Sequence, residues 1–271
     1  PATKRPNPHV RPRANMTRPQ AQPITALFAE LQLPIVSVHG PIGDYSAQLM
    51  APERAVLERA VAKRRREFST GRAFARTAMQ ALGLPSVPVP AATSRAPQWP
   101  QSMLGSISHS DEQAWVVACR ADQGGVRGLG ADLERLARLG SDLHSKLFTE
   151  FELDQLEQLS QQGRVLPPGT QSALKHQPAL GRDACRSLWA TLWFSAKEAV
   201  YKATAPLAGA YIGFREVELL ADTRAAQFTM RYLGEHAPSA VMESGRGYLR
   251  LQRDHALALF VIPDDRAVSD R

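Results

Sequence analysis

Two short segments of this chain gather side chains suited to handling phosphate and a cation. The first, Gly-Leu-Gly-Ala-Asp-Leu-Glu over 128–134, sets Asp132 and Glu134 two residues apart. The segment reads as a strand. Strands alternate faces, so both carboxylates point the same way. The second, Trp-Phe-Ser-Ala-Lys-Glu-Ala-Val-Tyr-Lys over 193–202, sets Glu198 and Lys202 four apart. That segment reads as a helix, on which the two share a face. Carboxylates without His or Cys beside them suit a hard cation such as Mg²⁺, which takes oxygen ligands and shares its shell with substrate phosphates. A lysine one turn past Glu198 is placed to meet those phosphates. Each pair alone also fits an ordinary solvated face. An exposed Glu–Lys pair at this spacing contributes only about 0.2–0.5 kcal/mol.

The whole chain sets the bounds. Its 271 residues suffice for one large domain or two small ones, and a hydrophobic content of 44% supports a packed core. Cys119 and Cys185 are far apart, without the spacing of a disulfide framework or a zinc site. No run of 18 apolar residues is present, so no membrane span is expected. Lys4, Arg5, Arg11 and Arg13 are not followed by an apolar stretch, which argues against a secretory signal and for a cytoplasmic protein. The net charge of +7 implies an anionic partner: nucleic acid, an acidic protein or a phosphorylated small molecule. Aromatics make up 7% of the chain and show no stacking motif within the basic run, so nucleic acid is not expected.

Certain elements must position these segments. Residues 1–23, rich in Pro and Arg, read as a flexible arm. A short helix is predicted at 24–32, a strand at Pro34–Val38, and a long basic helix from Pro52 to Leu82 with a break near Ser69. Strand pieces are predicted at Ile107–His109, Ala114–Cys119 and Gly128–Leu133, and helices at 141–146, 149–160 and 186–203. The Gln-, Gly- and Pro-rich stretch 161–183 reads as a loop, and four short strands close the chain at 215–220, 226–231, 246–252 and 256–262. Residues 68–76, Phe-Ser-Thr-Gly-Arg-Ala-Phe-Ala-Arg, run parallel to 194–202, Phe-Ser-Ala-Lys-Glu-Ala-Val-Tyr-Lys. Such self-similarity about half a chain apart suggests an internal duplication.

The order, spacing and identity of the two segments resemble the signatures of the 4′-phosphopantetheinyl transferase superfamily: Gly-x-Asp-x-Glu, then Trp-aromatic-Ser-x-Lys-Glu-Ala-x-x-Lys. The resemblance covers roughly 50–262 and is closest to the large, monomeric type that activates siderophore and peptide synthetases. It implies an α+β fold, a pseudo-dimer of two similar α/β subdomains with the active site in the cleft between them. The arm at 1–23 would be followed by an N-terminal subdomain at 24–125, holding coenzyme A, and a C-terminal subdomain at 126–271, carrying the metal and catalytic motifs. It implies transfer of the 4′-phosphopantetheine arm of coenzyme A to a serine of an acyl or peptidyl carrier protein, with adenosine 3′,5′-bisphosphate released. The alternative is a non-catalytic basic protein that binds nucleic acid or carrier protein.

Residue by residue, the resemblance assigns Mg²⁺ (or Mn²⁺) to Asp132, Glu134 and Glu198. Lys202 would meet the phosphates, and Glu198 would act as base, directly or through a water. Arg72 and Arg76, from a Gly-Arg-x-x-x-Arg element, together with Lys63, would contact coenzyme A. Arg95, Ser108 and His109 would meet its 3′-phosphate and adenine. The carrier protein would dock near Leu143–Phe151, where Lys146, Phe148 and Phe151 suit an acidic helical partner.

Overall fold

The computed structural model describes residues 21–23, 35–122, 125–136, 139–162, 181–235, 237–252 and 254–264. The predicted helix at 24–32, nearly all of the arm and most of the stretch 161–183 lie outside these residues.

The described chain is a mixed α/β structure with two antiparallel sheets. The N-terminal sheet contains β1 (Ala21–Pro23), β2 (Ile35–Pro41), β3 (Met103–Ser110) and β4 (Gln113–Arg120), in the order β1-β2-β4-β3. The short helix α1 (Ala51–Arg54) and the long helix α2 (Ala62–Ala81) lie between β2 and β3. The C-terminal sheet contains β5 (Val126–Arg135), β6 (Val217–Asp222), β7 (Gln227–Tyr232), β8 (Arg246–Gln252) and β9 (His255–Pro263), in the order β5-β9-β8-β7-β6. Between β5 and β6 run α3 (His144–Leu147), α4 (Glu150–Gln161) and the long helix α5 (Arg182–Ala208); α6 (Ser239–Glu243) precedes β8.

Three apolar clusters explain the layering. Ala73, Phe74, Ala78 and Met79 of α2 pack on Val38, Met103, Val116 and Ala118 of the N-terminal sheet. Leu188, Trp189, Leu192, Trp193 and Val200 of α5 pack on Leu219, Phe228, Leu249 and Phe260 of the C-terminal sheet. The sheets share a third cluster, in which Ile35, Trp115 and Val117 meet Leu129, Ala131, Leu133 and Leu259. Each long helix thus covers one sheet, and the sheets' remaining faces bury each other.

Among the described residues the predicted strands and helices are present, mostly with longer bounds. The long basic pattern breaks at 58–61 rather than near Ser69, and α2 runs through Ser69 without interruption. The buried Ser69 hydroxyl accepts a hydrogen bond from the Tyr45 amide, 3.1 Å away, so its polar group is satisfied without ending the helix. Helix α5 extends the predicted 186–203 at both ends. It closes after Pro206 on Gly209, whose φ of 63° is the left-handed cap that favours glycine.

Candidate active site

The site forms where α5 crosses β5. Gly128, Gly130, Asp132 and Glu134 alternate onto one face of β5, while Leu129, Ala131 and Leu133 join the core between the sheets. The two glycines let the helix in. A side-chain carbon on Gly128 would stand 2.9 Å from the Ala203 carbonyl, and one on Gly130 would meet the Ala199 carbonyl and lie 2.7 Å from the Ala203 amide nitrogen. Beyond the glycines come the acids. Lys202, one position before Ala203, reaches Asp132, its Nζ 2.6 Å from Oδ1. It also lies 3.3 Å from both the Ser108 hydroxyl and the Ala131 carbonyl.

A row of serines brings the N-terminal sheet to this point. Ser106, Ser108 and Ser110 alternate onto the face of β3 that meets the edge of β5. Their hydroxyls accept from the amides of Ala131 (3.0 Å), Leu133 (3.2 Å) and Arg135 (3.1 Å). Ser108 also donates to Asp132 Oδ1 at 2.8 Å. Strand alternation sends the neighbouring His109 to the other face, toward the N-terminal end of α2. There its Nε2 lies 3.3 Å from Arg64 and 3.9 Å from Glu67, and Lys63 pairs loosely with Glu67 and Asp111. Arg64 was not singled out in the sequence. Its place three residues before Glu67, on the face that meets β3, is the signal that marks it.

The electrostatics separate the acids. Burial pushes the Glu198 carboxyl above its ordinary pKa; Lys202 opposes this and Asp132 adds to it. Burial pulls the Lys202 ammonium down, but Asp132, Glu198 and Glu134 outweigh it and hold its pKa above the usual lysine value. Burial lowers His109, with Arg64 and Lys202 acting in the same direction against Glu67 and Asp132, which favours the neutral imidazole.

Among the described residues, no three acidic, histidine or cysteine side chains stand close enough together to form a metal cage. The donor chemistry nevertheless fits a hard cation. Asp132 Oδ2 is buried without a hydrogen-bond partner, Glu198 is a half-buried carboxyl, and Asp132, Glu198 and Glu134 each favour the charged form of Lys202.

The other assigned residues lie in different settings. Arg76 is buried and pairs with Glu53 at 3.0 Å, while its other arm donates to the Gln48 carbonyl. Arg72 donates to the Val89 carbonyl at 2.8 Å and stacks over Phe68; burial lowers its pKa to about 10. Arg95 is exposed in a turn, with φ of 70°. Within Leu143–Phe151, Phe148 is a core residue set edge-on against Trp193, whereas Leu143, Lys146 and Phe151 face outward. Beside Glu198 opens a cavity of about 180 Å³, walled by Tyr201, Tyr211, Ile212, Phe214 and Val217. No helix among the described residues is long and apolar enough to cross a membrane.

The family model of the 4′-phosphopantetheinyl transferase N-terminal domain matches residues 52–119, and that of the 4′-phosphopantetheinyl transferase superfamily matches 128–260. The chain is 34% identical over 191 residues to the 4′-phosphopantetheinyl transferase Svp of Streptomyces mobaraensis, covering 70% of this chain and 68% of that one. It is 32% identical over 188 residues to the 4′-phosphopantetheinyl transferase PptT of Mycobacterium tuberculosis, covering 67% and 70%. To enterobactin synthase component D of Escherichia coli K12 it is 29% identical over 156 residues, covering 58% and 62%. The crystal structure of Thermotoga maritima holo-[acyl-carrier-protein] synthase aligns with 18% identity over 51% of this chain and 64% of that one, at a TM-score of 0.32. The two matched regions carry the two strands that meet at the serine row, and the second also carries the helix that completes the site: the chain belongs to the 4′-phosphopantetheinyl transferase superfamily and is an enzyme of that class.

Proposed function

We propose that this enzyme moves the 4′-phosphopantetheine arm of coenzyme A onto a serine of an acyl or peptidyl carrier protein and releases adenosine 3′,5′-bisphosphate. The observation that carries the reading is the meeting of Lys202 with Asp132, 2.6 Å apart, where the two signature segments cross. A partly buried ammonium beside carboxylates from β5 and α5 suits a pyrophosphate and its counter-ion. Asp132, Glu134 and Glu198 would hold Mg²⁺ or Mn²⁺, which supplies charge neutralisation on the pyrophosphate when bound.

This chain's own residues have distinct parts. Glu198, the carboxylate four residues before Lys202 on α5, takes the proton of the carrier serine, directly or through a water. The serine oxygen then bonds to the phosphorus that bears the pantetheine. The bond from that phosphorus to the bridging oxygen breaks, and the electron pair leaves with the adenosine bisphosphate. Lys202 offsets the charge growing on the leaving phosphate. The cavity beside Glu198 takes the start of the pantetheine arm. Lys63 and Arg64 form the cationic end that faces the nucleotide's 3′-phosphate, with the neutral imidazole of His109 as a hydrogen-bonding partner beside them and Arg95 at the rim. Ser108 bridges that end to Asp132. Arg72 and Arg76 act on coenzyme A through the α2 scaffold that they brace. The outward residues Leu143, Lys146 and Phe151 receive the carrier protein. The cleft between the regions 24–125 and 126–271 is the working site of a cytoplasmic monomer built as a pseudo-dimer.

The test is the intact mass of a carrier protein after incubation with coenzyme A, Mg²⁺ and enzyme. Gain of one phosphopantetheine arm with the native chain, and none with Asp132→Ala, is expected. An unchanged mass across peptidyl and acyl carriers would overturn the reading. Binding to the carrier without mass gain would favour the non-catalytic alternative.

A further inference from the structure

Directly before Glu198 lies a charge that the reaction does not use. Lys197 is 1% exposed at its side chain and pairs with the fully buried Glu152 at 2.8 Å. Its other two donors go to the carbonyls of Phe214 (2.7 Å) and Val217 (2.6 Å). An ammonium has three donors, and all three have fixed acceptors. Glu152 is equally committed: one oxygen accepts from the Thr149 amide at 2.7 Å, the other from the Leu219 amide at 2.8 Å. The ammonium has no donor left for a substrate, and Glu152 is fully buried. Together they tie the start of α4, the middle of α5 and the chain entering β6. Phe214 and Val217, held by their carbonyls, line the cavity together with Glu198 and Lys197 itself.

We infer that Lys197 and Glu152 are positioning residues that fix the Phe214–Val217 wall at a set distance from Glu198 and so determine how well the site holds the arm of coenzyme A. The inference rests on the transferase reading above. A buried ion pair is weak evidence for stability, because packed apolar groups of similar volume often serve as well. Apolar groups, however, could not hold two backbone carbonyls and two amides of the neighbouring elements in one geometry. When the tie is cut, the wall is free to move relative to the catalytic helix, and the arm loses a pre-shaped pocket.

The experiment compares two ligands by calorimetry in the presence of Mg²⁺: coenzyme A, and adenosine 3′,5′-bisphosphate, which lacks the arm. Lys197→Met and the near-isosteric Glu152→Gln are set beside the native enzyme. The variants are expected to bind coenzyme A on the order of tenfold more weakly, with bisphosphate affinity within about twofold of native. In turnover, KM for coenzyme A should rise by more than kcat falls. Hydrogen exchange should quicken at 209–219 and stay unchanged in α2. Equal losses for both ligands, or no loss for either, would overturn the inference. If Lys197→Met does not fold, Glu152→Gln decides on the same criteria. Failure of both to fold would make the pair a general stability element and also overturn it. Failure of the transferase reading shows differently: the native enzyme itself would not distinguish coenzyme A from the bisphosphate and would transfer nothing.

Discussion

Helices α2 and α5 carry the similar stretches 68–76 and 194–202 and cover their sheets in similar ways, yet they use their terminal cations differently. On α2, Arg76 meets Glu53, whose carboxylate is completely buried and also accepts from the amides of Met50 (2.9 Å) and Val89 (2.9 Å). Every acceptor there has a donor. On α5, Lys202 meets Asp132, but one oxygen of that carboxylate is left buried without a partner, and Glu198 is held above its usual pKa nearby. A satisfied buried pair fixes structure; an incompletely satisfied one keeps binding capacity for a ligand. The same helix-on-sheet layout thus yields a brace in one region and a site in the other.

The largest effect should come from the acids. Asp132→Ala and Glu198→Ala are each expected to lower transfer by on the order of 10³-fold or more while the protein stays folded. Carrier mass gain and circular dichroism check this, and near-native turnover in a folded variant would end the contrast between site and brace. Arg76→Met should do the opposite. Leaving Glu53 buried without its cation costs about 3–5 kcal/mol in denaturant unfolding. Lys202→Met should cost less, about 1–2 kcal/mol, because Asp132 keeps its Ser108 donor, while transfer is lost.

The glycines sharpen the comparison. Gly71 on α2 faces a side chain, with Ile107 Cγ2 2.9 Å from an added carbon; Gly130 faces the backbone of α5. A side chain can give way and a helix backbone cannot. Gly130→Ala should therefore cost about 1–3 kcal/mol and reduce transfer, whereas Gly71→Ala should shift Tm slightly and leave kcat near native.

The smallest effect concerns pH. Because Glu198 has a raised pKa in the folded state, its contribution to folding is fully present below the ordinary carboxylate pKa and is lost as pH rises through the folded value. Without divalent cation, Glu198→Gln should then be slightly more stable than native at neutral pH in denaturant unfolding. The difference should close as pH falls toward the ordinary carboxylate range. A gain that is independent of pH would show that its origin is not ionisation.

Much of the site was legible because its geometry is local. Alternation put Asp132 and Glu134 on one face of β5, helical spacing aligned Glu198 with Lys202, and both patterns survive in the structure. What was not legible depends on partners distant in sequence. Nothing near Arg76 announces Glu53, 23 residues earlier in the chain, so its guanidinium looked free for a nucleotide. Phe148 looked like a docking residue because the burial of its ring against Trp193 is a tertiary contact. The glycines at 128 and 130 were visible, but the approach of α5 that requires them was not. The break assigned to Ser69 rested on local propensity, which a hydrogen bond from the Tyr45 loop overrides.

The row of serines has a consequence beyond catalysis. Strand β5 pairs with β9 on one side only, so its other edge carries amides that any extended peptide could take up. Ser106, Ser108 and Ser110 occupy the amides of Ala131, Leu133 and Arg135 with hydroxyls that offer no continuing backbone ladder. The N-terminal sheet therefore acts as a cap against strand-to-strand aggregation of the C-terminal one. A fragment starting at β5 would expose that edge together with Leu129, Ala131 and Leu133, and such a fragment is expected to precipitate unless the first sheet is supplied in trans.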